Sequence, residues 1–170
     1  MAVGAKGSTR FKVDLSKREY CVPKQEFHLE GHVIYVYSPL MIVAEKLRAL
    51  CQKMPEYQHS RAHTGGTDGR RARDFYDIAL IMRHESSLEW GDDACRSLLR
   101  QVFQAKHVDL ALLGRVPSDT VRAFHEDDFR AVRDTVPPGS IVHDFGHYFD
   151  VVAAMVGKLE AFWEVETPLG

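Results

Sequence analysis

The sequence predicts an α+β fold in which a small partial β-sheet at the N-terminus is followed by a helical bundle. Two observations support this order. Segments with the composition of β-strands lie before residue 38, and apolar residues at helical spacing dominate after it. We therefore expect residues 1–38 to form a strand-rich region and residues 39–170 to form a helical region.

The strand-rich region contains two segments with strand-like composition. Residues 10–15 alternate apolar and polar side chains, and residues 32–37 are almost wholly β-branched or aromatic. Residues 20–29 are expected to hold another extended segment, and Gly31 marks a turn into the strand at 32–37.

The helical region begins with a clear start signal, since Ser38 suits an N-cap and Pro39 suits the first helical position. The apolar spacing predicts helices over residues 39–54 and 70–83, joined by a polar stretch from 56 to 69. It predicts further helices over residues 92–106, 117–135 and 144–164, the last after a Pro-Pro-Gly break.

Composition places the 170-residue chain among ordinary globular proteins, with 45% hydrophobic and 27% charged residues. The net charge of −2 gives no general attraction to nucleic acid, so any RNA contact must be local. Three widely spaced cysteines without a Cys-x-x-Cys pair indicate free thiols, and no run is long and apolar enough for a membrane span or signal peptide. A cytoplasmic location without membrane contact is expected.

The first predicted helix places a charge within its apolar arc. Lys46 projects between Ile42 and Leu50, whereas Glu45 and Arg48 fall on the opposite side. Two interpretations remain open for Lys46. Its stem packs on the core while the ammonium reaches water, or its ammonium is aimed into a cleft to hold a phosphate.

The second predicted helix has the same conflict between pattern and charge. Asp74 lies on one stripe with Ile78, and spacing of four residues pairs Arg70 with Asp74 and Arg73 with Asp77. Solvent-exposed ion pairs within the helix would account for the presence of these charges, but not for their position beside isoleucines. The cluster of Arg70, Arg71 and Arg73 is either a solvated helix start or a phosphate-contacting group.

Two histidine-containing segments give weaker signals. His143 and His147 have the i,i+4 spacing of metal ligands, but paired histidines at a helix start are also typical of capping and surface positions. The segment from His125 to Asp128 is expected to form a solvated face.

Two motifs in the first half of the chain carry a resemblance to a known family. One combines VYSP at residues 36–39 with EKLRAL at residues 45–50, and the other is RARDFYD at residues 71–77. Together they resemble the AbiEii/AbiGii family, which are nucleotidyltransferase-fold toxins of bacterial abortive-infection and toxin–antitoxin systems. The resemblance covers roughly residues 9 to 85.

The resemblance implies a transferase that binds a nucleoside triphosphate and uses Mg²⁺. By motif position, Lys46 and Asp74 would be the catalytic residues, and Asp14 would be a metal-binding carboxylate on a strand of the nucleotidyltransferase-type sheet. Arg70, Arg71 and Arg73 would contact nucleotide or RNA phosphates. The implied partners are a tRNA or other RNA acceptor and a cognate antitoxin protein.

The N-terminal part departs from the family pattern. Only thirteen residues precede Asp14, and the family's glycine turn with its pair of metal-binding carboxylates is not found there. We therefore expect a truncated enzyme that corresponds to the second half of the family, weakly active or inactive alone. The alternatives are a non-catalytic remnant, one subunit of a split enzyme, or a helical interaction module.

Overall fold

A computed structural model describes residues 20–21, 24–59, 69–85 and 88–159, and within them a β-hairpin precedes a bundle of helices. This arrangement confirms the predicted α+β fold class. The elements in chain order are β1 (Lys24–Leu29), β2 (His32–Tyr37), α1 (Pro39–Cys51), α2 (Pro55–His59), α3 (Ala72–His84), α4 (Asp93–Ala105), a 3₁₀ helix (Leu110–Arg115), α5 (Asp119–Glu126), α6 (Phe129–Arg133) and α7 (Phe145–Gly157).

The hairpin follows local turn chemistry. Glu30 and Gly31 occupy the two turn positions with φ of 48° and 81°, as a two-residue turn between twisted strands requires, and Leu29 pairs with His32. β2 confirms the predicted strand at residues 32–37, and β1 lies within the extended segment expected at 20–29. The strand expected at residues 10–15 lies outside the described residues.

The hairpin leaves apolar side chains exposed. Phe27 and Ile34 are cross-strand partners, and alternation places Leu29 on the same face. Phe27 and Leu29 are each 52% exposed, which is unusual for large apolar side chains that share one face of a sheet.

Helix α1 begins as predicted, with the Ser38 hydroxyl oxygen accepting a hydrogen bond from the Met41 backbone N–H at 3.2 Å. It ends at Cys51 rather than at residue 54, and Gln52 is its C-cap. Continuation of the helix is opposed by Pro55, because a proline disfavours helical geometry in the residue before it. Its apolar side packs into the core, including Leu47 and Cys51.

The core lies among α1, α3, α4 and α7. Phe75 of α3 is completely buried, and its ring centroid lies 5.3 Å from that of Phe145 and 5.7 Å from that of Phe149, both on α7. Contacts of α1 with both α3 and α4 complete the bundle. This packing fixes the orientation of α3 relative to α1.

The predicted single helix over residues 117–135 is wrong in detail, because α5 and α6 are separate. Three acidic residues in succession, Glu126, Asp127 and Asp128, stand at the C-terminal end of α5, where negative charge opposes the helix dipole. The apolar stripe nevertheless continues from Val121 across the break to Phe129.

The other predicted helices agree with the structure where it is described, whereas α2, in the stretch predicted as a polar connection, and the 3₁₀ helix were not predicted. Helix α4 matches the expected helix at 92–106, with an Asp92 carboxylate oxygen accepting from the Cys95 backbone N–H at 2.7 Å. Helices α3 and α7 match those expected from residues 70 and 144, and the part predicted beyond residue 159 lies outside the described residues. Within the described segments, every helix falls short of the length and apolar content needed to cross a membrane.

Candidate functional site

The side chain of Lys46 lies between two carboxylates of α3. Its Nζ donates to Oδ1 of Asp74 at 2.9 Å and to Oδ2 of Asp77 at 2.8 Å. The structure thus brings together the lysine and the aspartate that the two sequence motifs single out. It also adds Asp77, which belongs to the same RARDFYD motif.

Helix packing explains why these charges meet. On α1, Leu47 and Leu50 face the core, and Lys46 lies at the edge of that face. On α3, Phe75 and Ile78 are completely buried and hold the helix against its neighbours. The same packing buries Asp74, which retains only 7% exposure, so its charge depends on its partners.

The two carboxylates alter the titration of Lys46. Burial alone lowers the pKa of a lysine, but the hydrogen bonds and negative charges of Asp77 and Asp74 outweigh it here. The pKa of Lys46 is therefore raised above its ordinary value, and the ammonium form is favoured.

The arginines that precede and begin α3 extend this ion-pair network. Arg71 donates to Oδ2 of Asp74 at 2.9 Å, and Arg73 donates through Nε to Oδ1 of Asp77 at 2.8 Å. The predicted Arg73–Asp77 pair is confirmed. The cations Lys46, Arg71 and Arg73 face two carboxylates, so the cluster carries a net positive charge.

The predicted pairing of Arg70 with Asp74 is wrong. Arg70 instead contacts Asp127 at 3.2 Å, because Arg70 precedes the first turn of α3 and its side chain extends towards the end of α5. Arg71, three residues before Asp74, takes the place that i,i+4 spacing assigned to Arg70.

A second polar layer lies on α1 beside Lys46. Arg48 is buried and donates to Oε2 of Glu45 at 2.6 Å and to the side chain of Gln52. This corrects the expectation that Glu45 and Arg48 lie on a face opposite the core. Tertiary contacts cover this side of α1, and helical spacing alone does not reveal them.

Two cavities flank Asp74 and share Arg71 as a lining residue. The first, of about 270 Å³, is lined by Tyr37, Ile42, Glu45, Lys46, Arg48, Ala49, Arg71 and Asp74. The second, of about 210 Å³, is lined by Lys53, Gly69, Arg70, Arg71, Arg73 and Asp74. The ion-pair network therefore has a cavity on each of two sides.

His125 is a site neighbour that the sequence interpretation missed. Its Nδ1 accepts a hydrogen bond from the Arg71 backbone N–H at 2.9 Å, and the residue is only 2% exposed. Burial is the main reason that its pKa falls to about 4, and the charges of Arg71 and Arg70 lower it further. The segment is therefore not simply a solvated face, and the four-residue spacing of Val121, His125 and Phe129 was the signal that could have shown it.

The described residues do not fit a magnesium site. All four carboxylate oxygens of Asp74 and Asp77 already accept from lysine or arginine groups, which competes with metal coordination. Across residues 20–21, 24–59, 69–85 and 88–159, no group of three or more metal-ligating side chains occurs. Asp14, the predicted metal ligand, lies outside the described residues.

The histidine pair at the start of α7 lies away from this network. The ring centroids of His143 and His147 are 4.3 Å apart, and both residues line a separate cavity of about 310 Å³ beside Arg83. Since the described chain provides no third metal-ligating group there, the metal interpretation of this pair gains no support.

Comparison with known protein families matches residues 2–151 to "Nucleotidyl transferase AbiEii toxin, Type IV TA system". The match extends beyond the two motifs and includes most of the helical region. Searches of curated proteins and of solved structures returned no match. The matched range contains the EKLRAL and RARDFYD motifs and the ion-pair network they form. This chain therefore belongs to the AbiEii family of nucleotidyltransferase toxins of type IV toxin–antitoxin systems.

Proposed function

We propose that this chain is a nucleotidyltransferase-like toxin that transfers nucleotides from a nucleoside triphosphate to an acceptor, with tRNA or another RNA as the acceptor. The observation that supports this proposal is the position of Lys46, whose ammonium bridges Asp74 and Asp77 at the edge of two cavities. A lysine held in this way is a compact cation available to a phosphate group.

Each residue of the network has a role in this proposal. Lys46 contacts the phosphates of the nucleotide, and Asp74 holds the Lys46 ammonium in position for that contact. Arg70, Arg71 and Arg73 contact nucleotide or RNA phosphates. Each arginine would bind the phosphate either together with its carboxylate partner or in place of it. The net positive charge of the network favours an anionic substrate.

The cofactor and partners of this proposal come from the family. A magnesium ion would take ligands from outside the described residues, with Asp14 as the candidate, because Asp74 and Asp77 are saturated by cations. A cognate antitoxin protein is the proposed protein partner. The cytoplasm is the proposed location, in agreement with the free state of Cys21, Cys51 and Cys95.

A nucleotide-transfer assay tests the proposal. The chain is incubated with each α-labelled nucleoside triphosphate, Mg²⁺ and total tRNA, and label in the RNA is measured. We expect transfer by the unmodified chain, loss of transfer in Lys46→Ala and Asp74→Asn, and retention in Arg83→Ala, which removes an exposed cation from the last turn of α3. Equal transfer by all variants would exclude the proposed roles.

A second candidate is that the chain is a non-catalytic remnant or one subunit of a split enzyme. Two observations favour it: all four oxygens of Asp74 and Asp77 already accept from lysine or arginine, and apolar residues such as Phe27 and Leu29 are exposed on the hairpin. Nucleotide binding measured by calorimetry without any transfer to RNA would support this candidate over the first.

A further inference from the structure

The cavity beside the histidine pair lies between α3 and the start of α7, apart from the two cavities that flank Asp74. It has a volume of about 310 Å³, and its walls come from the last two turns of α3, the first two turns of α7 and the segment that precedes α7. It shares no lining residue with either cavity beside Asp74. The cavity is therefore a separate candidate site.

The wall has a large apolar part. Five of its lining residues are purely apolar, namely Ala79, Leu80, Met82, Ile141 and Val151. Ile141 is 81% exposed, which exceeds the exposure of every other large apolar side chain that the structure describes. Covering Ile141 with an apolar group would remove that surface from water, which is favourable. This part of the wall suits a ligand with an apolar body.

The polar part of the wall consists of hydrogen-bond donors. It contains Arg83, His143, His147 and the hydroxyl group of Tyr148, and no acidic side chain from the described segments lines the cavity. The ring centroids of His143 and His147 lie only 4.3 Å apart, so the two imidazoles present N–H groups to the same region. Donors and positive charge without an acidic neighbour favour an anionic group.

Tyr148 gives the most direct indication of a missing partner. It is only 3% exposed, and its hydroxyl oxygen accepts a hydrogen bond from the His143 backbone N–H at 3.0 Å. The hydroxyl hydrogen has no acceptor in the part of the chain that the structure describes, although buried donors normally have one. An oxygen atom of a ligand in the cavity would supply that acceptor.

The basic residues of the wall also retain binding capacity. Among the described residues, Arg83 forms no ion pair and the imidazoles of His143 and His147 form no hydrogen bond. His147 lies in the first turn of α7, where the helix dipole favours a negative charge. An anionic group of the ligand would therefore not have to displace an existing carboxylate.

The volume of the cavity limits the size of the ligand. At about 30 Å³ for each small group, the volume of a water molecule in the liquid, the cavity accommodates about ten non-hydrogen atoms. It also lies at the lower end of the range of about 300–1,000 Å³ that is typical of small-molecule sites. A carboxylate on a short alkyl chain or on a single ring fits this space, whereas a nucleotide is too large.

We infer that this cavity binds a small monocarboxylate with an apolar body. The carboxylate accepts hydrogen bonds from His143, His147 and the Tyr148 hydroxyl group, and the apolar body lies against Ile141 and Val151. The inference uses no residue of the ion-pair network around Lys46. It is therefore independent of the proposed nucleotide transfer.

Calorimetric titration with octanoate and 1-octanol, which share the same alkyl chain, tests the inference. We expect octanoate to bind more than about tenfold more tightly, because the alcohol lacks the charged hydrogen-bond acceptor. His147→Ala should reduce this preference about tenfold, since one donor to the carboxylate is lost. Ile141→Ala should instead weaken both probes about fivefold and leave the preference unchanged, because it removes only apolar contact.

Control measurements locate the ligand and separate binding from folding. Octanoate should shift the NMR resonances of the His143 and His147 rings and leave those of the buried His125 unchanged. Lys158→Ala, which removes an exposed cation at the end of α7 that does not line the cavity, should leave octanoate affinity unchanged. Ile141 and His147 are exposed, so thermal unfolding should show that their variants remain folded.

Three results would overturn the inference. The first is equal affinity for octanoate and 1-octanol, and the second is unchanged octanoate affinity in His147→Ala. The third is a shift of the His143 and His147 resonances by Zn²⁺ without any octanoate binding, since the pair would then be a metal site. Absence of nucleotide transfer with intact octanoate binding would contradict the proposed function alone.

Discussion

The Nζ atom of Lys46 lies 2.9 Å from Oδ1 of Asp74, although the two residues belong to different helices. Asp77 accepts from the same ammonium at 2.8 Å, so one lysine bridges two carboxylates at the contact between α1 and α3. The side chain of Asp74 is 10% exposed, which makes its interaction with Lys46 stronger than that of a surface pair. The stability of the helix contact is therefore coupled to the candidate site.

Removing the charge of Lys46 should destabilise the fold as well as weaken nucleotide binding. Lys46→Met leaves Asp74 and Asp77 without their shared cation, and we expect the free energy of unfolding to fall by about 2 kcal/mol. Urea denaturation at pH 7 measures this loss. The additional change Asp77→Asn should recover part of it, because it removes one of the two facing negative charges. No recovery in the double variant would contradict this account.

The raised pKa of Lys46 predicts a loss of stability at alkaline pH. The folded chain holds the proton more tightly than the unfolded chain, so this stabilisation is complete below the ordinary lysine value of 10.5 and is lost as the pH rises through the higher folded value. Unfolding free energies measured between pH 9 and pH 12 (on the order of the lysine titration range) should fall more steeply for the unmodified chain than for Lys46→Met. Parallel curves would mean that Lys46 does not titrate differently on folding.

His125 predicts a loss of stability at acidic pH. Its pKa of about 4 in the folded chain lies below the 6.5 expected when unfolded, so the unfolded chain binds the proton more readily as the pH falls. We expect this group to remove about 2 kcal/mol of stability between pH 7 and pH 5. This contribution to the slope should be absent in His125→Asn, whose side-chain oxygen can still accept from Arg71. A slope that persists in this variant would assign the effect to other groups.

The buried thiols predict selective labelling. Cys51 and Cys95 are completely buried, and burial raises the pKa of both thiols, whereas Cys21 is only partly buried. At pH 8 (about the ordinary thiol value) we expect a thiol reagent to modify Cys21 in the folded chain, and Cys51 and Cys95 only after denaturant is added. Mass spectrometry of the modified peptides identifies the sites. Rapid modification of Cys51 in the folded chain would contradict the packing of α1.

Local signals in the sequence determined the elements that were predicted well. Ser38 and Pro39 determine the start of α1, and Gly31 determines the hairpin turn, because in each case the requirement concerns neighbouring backbone atoms. The contact between Lys46 and Asp74 could also be expected from the sequence, because both charged residues interrupt apolar stripes. Few charged residues lie on an apolar helix stripe in this sequence. The two discussed here, Lys46 and Asp74, belong to one ion-pair network.

The features that were not predicted depend on tertiary contacts. Burial of Arg48 arises from its packing with Glu45 and Gln52 against neighbouring elements, and helical spacing of one segment contains no information on those neighbours. His125 reaches the Arg71 backbone across 54 residues of chain, and Arg70 finds Asp127 across 57. Charged or titratable residues on a partly apolar helix can face solvent or the core, and only the assembled fold decides between these outcomes.

Two matched phenylalanine substitutions test the division between the helical core and the hairpin. Phe75→Ala removes a completely buried ring in contact with Phe145 and Phe149, and we expect a loss of about 3–5 kcal/mol. Phe27→Ala removes a ring that is 52% exposed on the hairpin, and the expected change is within about 0.5 kcal/mol. Urea denaturation of both variants gives the comparison. A large loss for Phe27→Ala would show that the open face of the hairpin is covered in solution, because only a buried ring contributes that much stability.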